Sequence, residues 1–314
     1  MALEVGGSNP LAHPTNSCPH VRILSRLALL AWLGCAPRVV MVPDPVQVRV
    51  GEIPQARLEQ SVAELSPDVE ARTEWLSRAF RDVGCPARVI SGAQGDNVLC
   101  TLPGASSWIV VVGANVDRPS AGQGVVDNWT GMVLLPLLYE SLRVEPRRHS
   151  FVFAGFTDAL LKQRGARRYL KELGPDGRAS IRAMVQLKAL GIGTPAMWAA
   201  HADPNLRQDL FSVSRALELP LRVVNFQENV AVDAKAFRQT GIPTITIHSL
   251  DQSSARLLAQ PYRDRDAEAI DWENYHATAR LLATYLAYLD MTLQVREDRP
   301  TGESAPREEP PQPL

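Results

Sequence analysis

The sequence predicts an α/β fold, a three-layer sandwich in which helices cover both faces of a mixed, mainly parallel sheet. Three observations carry this. Short apolar runs rich in Val, Ile and Phe alternate with stretches of helical periodicity from about residue 69 to residue 293. Several of those runs are apolar throughout, as strands buried on both faces are. Polar residues crowd the ends of the runs, above all in VVVGANVDRPSAGQGVVDNWTG, Val110–Gly131, and ligands gather at the C-terminal ends of parallel strands.

Taken in order, VEARTEWLSRAFRDVGC reads as an amphipathic helix with Trp75, Leu76, Ala79 and Phe80 on one face and Gly84 ending it. ARVIS and NVLCTLPG read as strands joined by the turn-rich GAQGD, and SWIVVVGAN as a central strand. TGMVLLPLLYESLRV is a helix, RRHSFVFAGF a buried strand, and ARRYLKEL a helix stopped by Gly174-Pro175. IRAMVQLKALGIG is a strand, PNLRQDLFSVSRALEL a helix, GIPTITIHS a strand, and DAEAIDWENYHATARLLATYLAYLDMTL a long closing helix. Its stripe Leu281, Leu282, Tyr285, Leu286 and Leu289 has the spacing of a core-facing helix.

The 314 residues divide into three parts: a leader and linker over 1–44, one α/β domain over 45–294, and a Pro- and charge-rich tail over 295–314 expected to be disordered. Arg22 and Arg26 precede the apolar run Leu27–Leu33, too short to span a bilayer and the right size for a signal peptide. Gly34-Cys35 behind it suggests a lipoprotein cleavage site with Cys35 as the lipidated residue; an ordinary secretory leader, or a start placed too early, is the plainer reading. The expectation is an exported protein, periplasmic or anchored in a bacterial envelope, touching membrane only through the leader or a lipidated cysteine. With 33 Lys and Arg against 34 Asp and Glu, nothing supports a nucleic-acid surface. Cys85 and Cys100 fit either one disulfide in an oxidising compartment or two buried thiols.

The loop after SWIVVVGAN delivers Asn115, Asp117, Asp127 and Asn128 to one place, which points first to a metal. No HExxH, Walker loop or GxSxG elbow occurs. His248 ends a strand on the presumed ligand side and reads as a satisfied near-core histidine; His201 reads as part of a strand-end turn and His276 as surface.

The order of these segments resembles the zinc-dependent aminopeptidase and glutaminyl-cyclase family of di-zinc α/β exopeptidases, from about Arg72 to Leu289. VGANVD falls where that family has Gly-x-His-x-Asp, and DNWTG where it has Asp-Asn-x-Ser-Gly. FVFAGFTD ends where a Glu-Glu pair is expected. MVQLKALG corresponds to Asn-Leu-Asp-x-x-Gly, VDAKAFRQTGIPTI to Asp-x-x-x-Phe…Gly-Ile-Pro, and PYRDRDAEAID to Tyr-His…Asp…Ile-Asp.

The resemblance implies two zinc ions bridged by a carboxylate, completed by His and Asp or Glu, with a separate Glu as general base. Zinc takes such ligands and acidifies bound water. In this chain the positions read Asn115 for the first histidine, Asp127 for the bridge, Thr157 for the base, Asp158 for its carboxylate neighbour, Lys188 for the next Asp and Arg263 for the last histidine. Asp117 keeps the residue that orients the first histidine, and Asn128 keeps the amide after the bridge. Only Asp127 and Asp158 could serve as metal ligands. Lys and Arg are fixed cations where a carboxylate and an imidazole are needed, and Thr accepts no proton at neutral pH. Two ion pairs, Asp127–Lys188 and Asp158–Arg263, are expected in place of the metals; otherwise Arg263 lies solvated and pairs with nothing.

The resemblance therefore implies a catalytically degenerate relative that binds a peptide, an amino-terminal group or a protein in the old cleft. The alternative is an active metallopeptidase with a single-metal or rearranged site at Asp127 and Asp158. No cofactor is expected, unless the site is functional, in which case it is zinc.

Overall fold

A computed structural model describes residues 38–42, 46–66, 68–93, 95–119, 122–159, 161–225, 232–251, 254, 264 and 267–297. All of them belong to one unit, Cys35–Leu314. Strands β1 (Arg38–Val42) and β2 (Val46–Val50) pair antiparallel. The strand β1 falls inside the stretch that the sequence assigned to the linker. Helices α1 (Gln55–Ala63) and α2 (Val69–Asp82) follow, then β3 (Arg88–Ile90), β4 (Asn97–Leu102) and β5 (Ile109–Asn115). A tight π-turn, Val125–Trp129, leads into α3 (Thr130–Leu142). Next come β6 (Ser150–Phe156), α4 (Arg164–Ala179), β7 (Ile181–Leu187), the short β8 (Ala196–Met197), α5 (Pro204–Ala216), the short β9 (Arg222–Val223), α6 (Ala234–Arg238), β10 (Thr244–His248) and α7 (Trp272–Glu297).

Eight strands form one sheet in the order β3-β4-β6-β5-β7-β10-β8-β9. The centre, β6-β5-β7-β10, is parallel throughout. Antiparallel pairs occur where β4 meets β3 and β6, and where β8 meets β10. The expected three-layer α/β sandwich with a mixed, mainly parallel sheet is thus present. Alternate side chains along a strand face opposite ways. On β5, Val110, Val112 and Ala114 enter a core with α1, α2, α3, α5 and α7, while Val111 enters a second core with α4 and α6. Both faces are therefore dry, and a strand in that position must be apolar throughout.

Local chemistry sets the boundaries. Asp68 caps α2 by accepting from the Ala71 amide at 2.8 Å. Cys85, just past the helix, is bonded to Cys100 of β4, so of the two cysteine readings the structure has the disulfide. α4 does not stop at Gly174-Pro175. It kinks there, with Gly174 at φ +67°, and resumes to Ala179. The residues after Leu187, expected to continue the strand, instead turn out of the sheet, with Ala189 at φ +46°.

Candidate functional site

The C-terminal ends of β5, β6 and β7, and the N-terminal end of the antiparallel β4, deliver the polar residues to one place. Asn115 is the last residue of β5, and its Oδ1 accepts from the Asp117 amide at 2.6 Å. Asp117 in turn holds the segment after β6: its two oxygens accept from the amides of Asp158 at 2.9 Å and Ala159 at 2.7 Å. Burial nonetheless pushes the Asp117 carboxyl above its usual pKa, against those bonds.

Asp127 and Asn128 sit in the π-turn ahead of α3. Gly124, with φ +65°, starts that turn. A Cβ there would lie 2.6 Å from Pro119 Cδ and 2.7 Å from the Asp127 carbonyl oxygen, so only glycine fits. Lys188, one residue past β7, donates from Nζ to Asp127 Oδ1 and, at 2.8 Å, to Asn128 Oδ1. The pair is largely buried, with 9% of the Lys188 and 20% of the Asp127 side chain exposed. The expected Asp127–Lys188 ion pair is therefore observed, with Asn128 as a second acceptor.

Asp158 meets a cation from α4. Arg168 of α4 approaches its Oδ2 at 3.4 Å, while Arg263 lies outside the described residues, as does Cys35. Thr157 is buried and points away from any role as a base. Its hydroxyl reaches the Gly95 carbonyl at 3.1 Å and its amide donates to Asn97 Oδ1 at 3.1 Å. Beside it, across Gly95, an open cavity of about 650 Å³ is walled by Asp68, Glu70, Thr73, Glu74 and Asp96.

Three further residues belong to the site. Arg72 of α2, fully buried, donates to the carbonyls of Ser66 at 3.1 Å, Asp117 at 3.2 Å and Gly124 at 3.3 Å, and also to that of Gln123. Its guanidinium lies 5.5 Å from the Trp129 ring centre, and burial lowers its pKa to about 10. Asp264 grips the same loop from the other side. Its carboxylate accepts from the amides of Val126 and Asp127, each at 2.8 Å, and its carbonyl accepts from those of Gln123 and Gly124. Asp233, just before α6, is completely buried, and neither of its oxygens has a hydrogen-bond partner among the described residues. Burial, aided by the nearby Asp117 charge and opposed by Lys188, raises its pKa to about 8.

The sequence carried one usable signal for these three. Position 72 falls on the apolar face that also holds Trp75, Leu76 and Ala79, so an arginine there must be buried with partners. Asp264 sits in a run of alternating charge, and its partners lie far off in the chain.

The histidines stand apart. His248 Nδ1 accepts from the Leu250 amide at 3.0 Å, and burial lowers its pKa to about 4, so the ring is neutral. His276 is half-buried rather than on the surface and bonds the Ile53 carbonyl at 2.8 Å. His201 packs edge-on against Trp198.

The described donors do not fit a zinc ion. A lysine ammonium already occupies the Asp127 carboxylate, both Asp117 oxygens are taken by backbone amides, and the Asn115 oxygen is taken by another. Among the described residues no three His, Cys, Asp or Glu side chains are grouped as a metal site. What remains is a charge-paired group of largely buried side chains, Lys188 with Asp127 and Arg168 with Asp158.

Residues 97–286 match the family model described as Peptidase family M28. A search of curated proteins finds no match. Among solved structures, the LapA aminopeptidase of Legionella pneumophila is similar with a TM-score of 0.67 at 11% identity, over 76% of this chain and 72% of that one. The glutaminyl cyclase of Macrostomum lignano is similar with a TM-score of 0.60 at 16% identity, over 76% of this chain and 89% of that one. BSAP, a zinc aminopeptidase from Bacillus subtilis, has a TM-score of 0.54 at 15% identity, over 61% of this chain and 49% of that one.

Proposed function

This chain belongs to peptidase family M28, and from that premise we propose that it is a catalytically inactive member whose former active-site cleft binds a peptide or a protein partner. The observation that carries this reading is the Lys188 ammonium on Asp127 and Asn128. A cation supplied by the chain replaces the one that relatives described as zinc aminopeptidases take from solution. Hydrolysis needs an activated water and a base to take its proton. Thr157 offers no base, and its hydroxyl is already committed to the Gly95 carbonyl. The acid-walled cavity beside Thr157 suits an amino-terminal group.

We further propose that the protein works outside the cytoplasm. The buried Cys85–Cys100 disulfide supports an oxidising compartment.

The test is metal content and activity together. Purified full-length protein is expected to carry no stoichiometric zinc by elemental analysis, to show no zinc binding by calorimetry, and to lack aminopeptidase and glutaminyl-cyclase activity. One tightly held zinc with turnover would establish the alternative, an active hydrolase built around Asp127 and Asp158.

A further inference from the structure

One face of the molecule carries unpaired positive charge. α4 buries Gly165, Ala166, Tyr169 and Leu170 and turns Arg164, Arg167 and Lys171 outward. Lys162 precedes it, and Lys235 and Arg238 belong to α6 alongside. The two helices are neighbours: the Tyr169 and Phe237 rings pack at a tilt with centres 6.2 Å apart, and Arg167 donates to Gln239 just past α6. Among the described residues, the side chains of Lys162, Arg164, Lys171, Lys235 and Arg238 have no ion-pair or hydrogen-bond partner. The carboxylates of these segments are engaged or distant. Asp158 pairs with Arg168, Glu172 pairs with Arg88, Asp233 is buried, and Asp176 lies beyond the Gly174 kink. A chain of net charge −1 has thus set six cations together on one surface.

We propose that the outer face of α4 and α6 is a docking surface for an acidic polypeptide segment. The spacing favours a chain over a small anion. Arg164, Arg167 and Lys171 make a row about 10 Å long at 1.5 Å per residue. Along an extended peptide, side chains on one edge recur about every 6.6 Å, close to the steps of about 4.5 and 6 Å between these cations. Arginine forks suit carboxylates in two-pronged contacts. Leu161, 40% exposed at the head of the row, offers one apolar anchor. A bilayer would call for several inserted apolar side chains. Of the four large apolar residues exposed among the described residues, Leu161 alone lies on the segments bearing these cations. The proposal is independent of whether the cleft is catalytic.

The experiment is fluorescence anisotropy of a fluorescein-labelled (Glu-Thr)5 peptide titrated with the full-length protein, with (Lys-Thr)5 as the opposite-charge control. Saturable binding of the acidic peptide alone is expected, weakening as salt rises from 50 to 200 mM. The R164E/K171E variant is expected to lose at least tenfold in affinity. R207E/R215E, a reversal of two exposed α5 cations, is expected to leave it unchanged. All of these side chains are exposed, so the variants should keep the parent thermal midpoint. No saturable binding at 50 mM salt would overturn the proposal, as would affinity indifferent to R164E/K171E or equally reduced by R207E/R215E. Binding to phosphatidylglycerol vesicles that R164E/K171E abolishes, without peptide binding, would assign the face to a membrane and overturn it equally.

Discussion

Lys188 and Asp127 form a pair in which each charge depends on the other, since both are largely out of water. Removing one partner leaves the other desolvated and alone, which costs more than the pair contributes. Lys188→Met is expected to lower stability by roughly 1–3 kcal/mol in urea denaturation, a figure reduced for the part of Asp127 that remains wet. The double variant K188M/D127N should recover part of that loss. Asp233 works in the opposite sense. Its folded pKa of about 8 lies above the ordinary value of 3.8, so the native state keeps a proton that the unfolded chain releases. Stability from this group is full below about pH 4 and declines as pH rises toward 8. Asp233→Asn is expected to stabilise the protein at pH 7.5 and to change little at pH 4, read as thermal midpoints across that range. His248, held neutral with a pKa of about 4, costs stability as pH falls from 6.5. The Asp233 contribution is therefore the difference between variant and parent at each pH. At this scale the sequence was informative where motif order located a residue, as for Lys188 and Asp127. It was silent for Asp264, because nothing near a carboxylate in the chain declares which distant amides it will receive.

The disulfide joins two elements that matter to the cleft. α2 carries Arg72, whose guanidinium holds the loop after β5, and β4 carries Asn97, which fixes Thr157. Cys85–Cys100 ties the end of one to the middle of the other across 15 residues. Closing a loop of that length is worth about 3 kcal/mol in the unfolded chain. C85A/C100A is expected to lower the stability of the oxidised protein by roughly 2–4 kcal/mol. Reductant should produce a similar shift in the parent and none in the variant. At the start of α2, Asp68→Ala should cost about 1 kcal/mol through the lost cap, measured by the same denaturation. Element type was legible wherever periodicity was long, as in α2, α3, α5 and α7. The β1–β2 pair was not read from the sequence, because the apolar leader just ahead drew Arg38–Val42 into the linker. The kink in α4 was read as an end, because Gly-Pro stops most helices and only the packing of residues beyond it shows that this one resumes.

Across the described residues, the sheet is largely apolar on both sides, and this made the fold legible without long-range information. The site was legible in part. Its positions follow from strand ends, whereas its pairings depend on which side chain reaches which. The approach of Arg168 of α4 to Asp158 is such a pairing, and nothing in the sequence announced it. With its own cation in place, the fold should not depend on metal. Added zinc or a strong chelator is expected to leave the thermal midpoint of the parent unchanged within about 1 °C, whereas ligand-linked stabilisation at saturating metal would raise it by several degrees. The grip of Asp264 on Val126 and Asp127 spans 138 and 137 residues. During synthesis at about 5–20 residues per second, the loop leaves the ribosome roughly 7–30 s before the carboxylate that secures it. Until then the amides of Gln123 to Asp127 have only water to bond. A nascent chain stalled before residue 264 should therefore present this loop to proteases, and one stalled well after it should not.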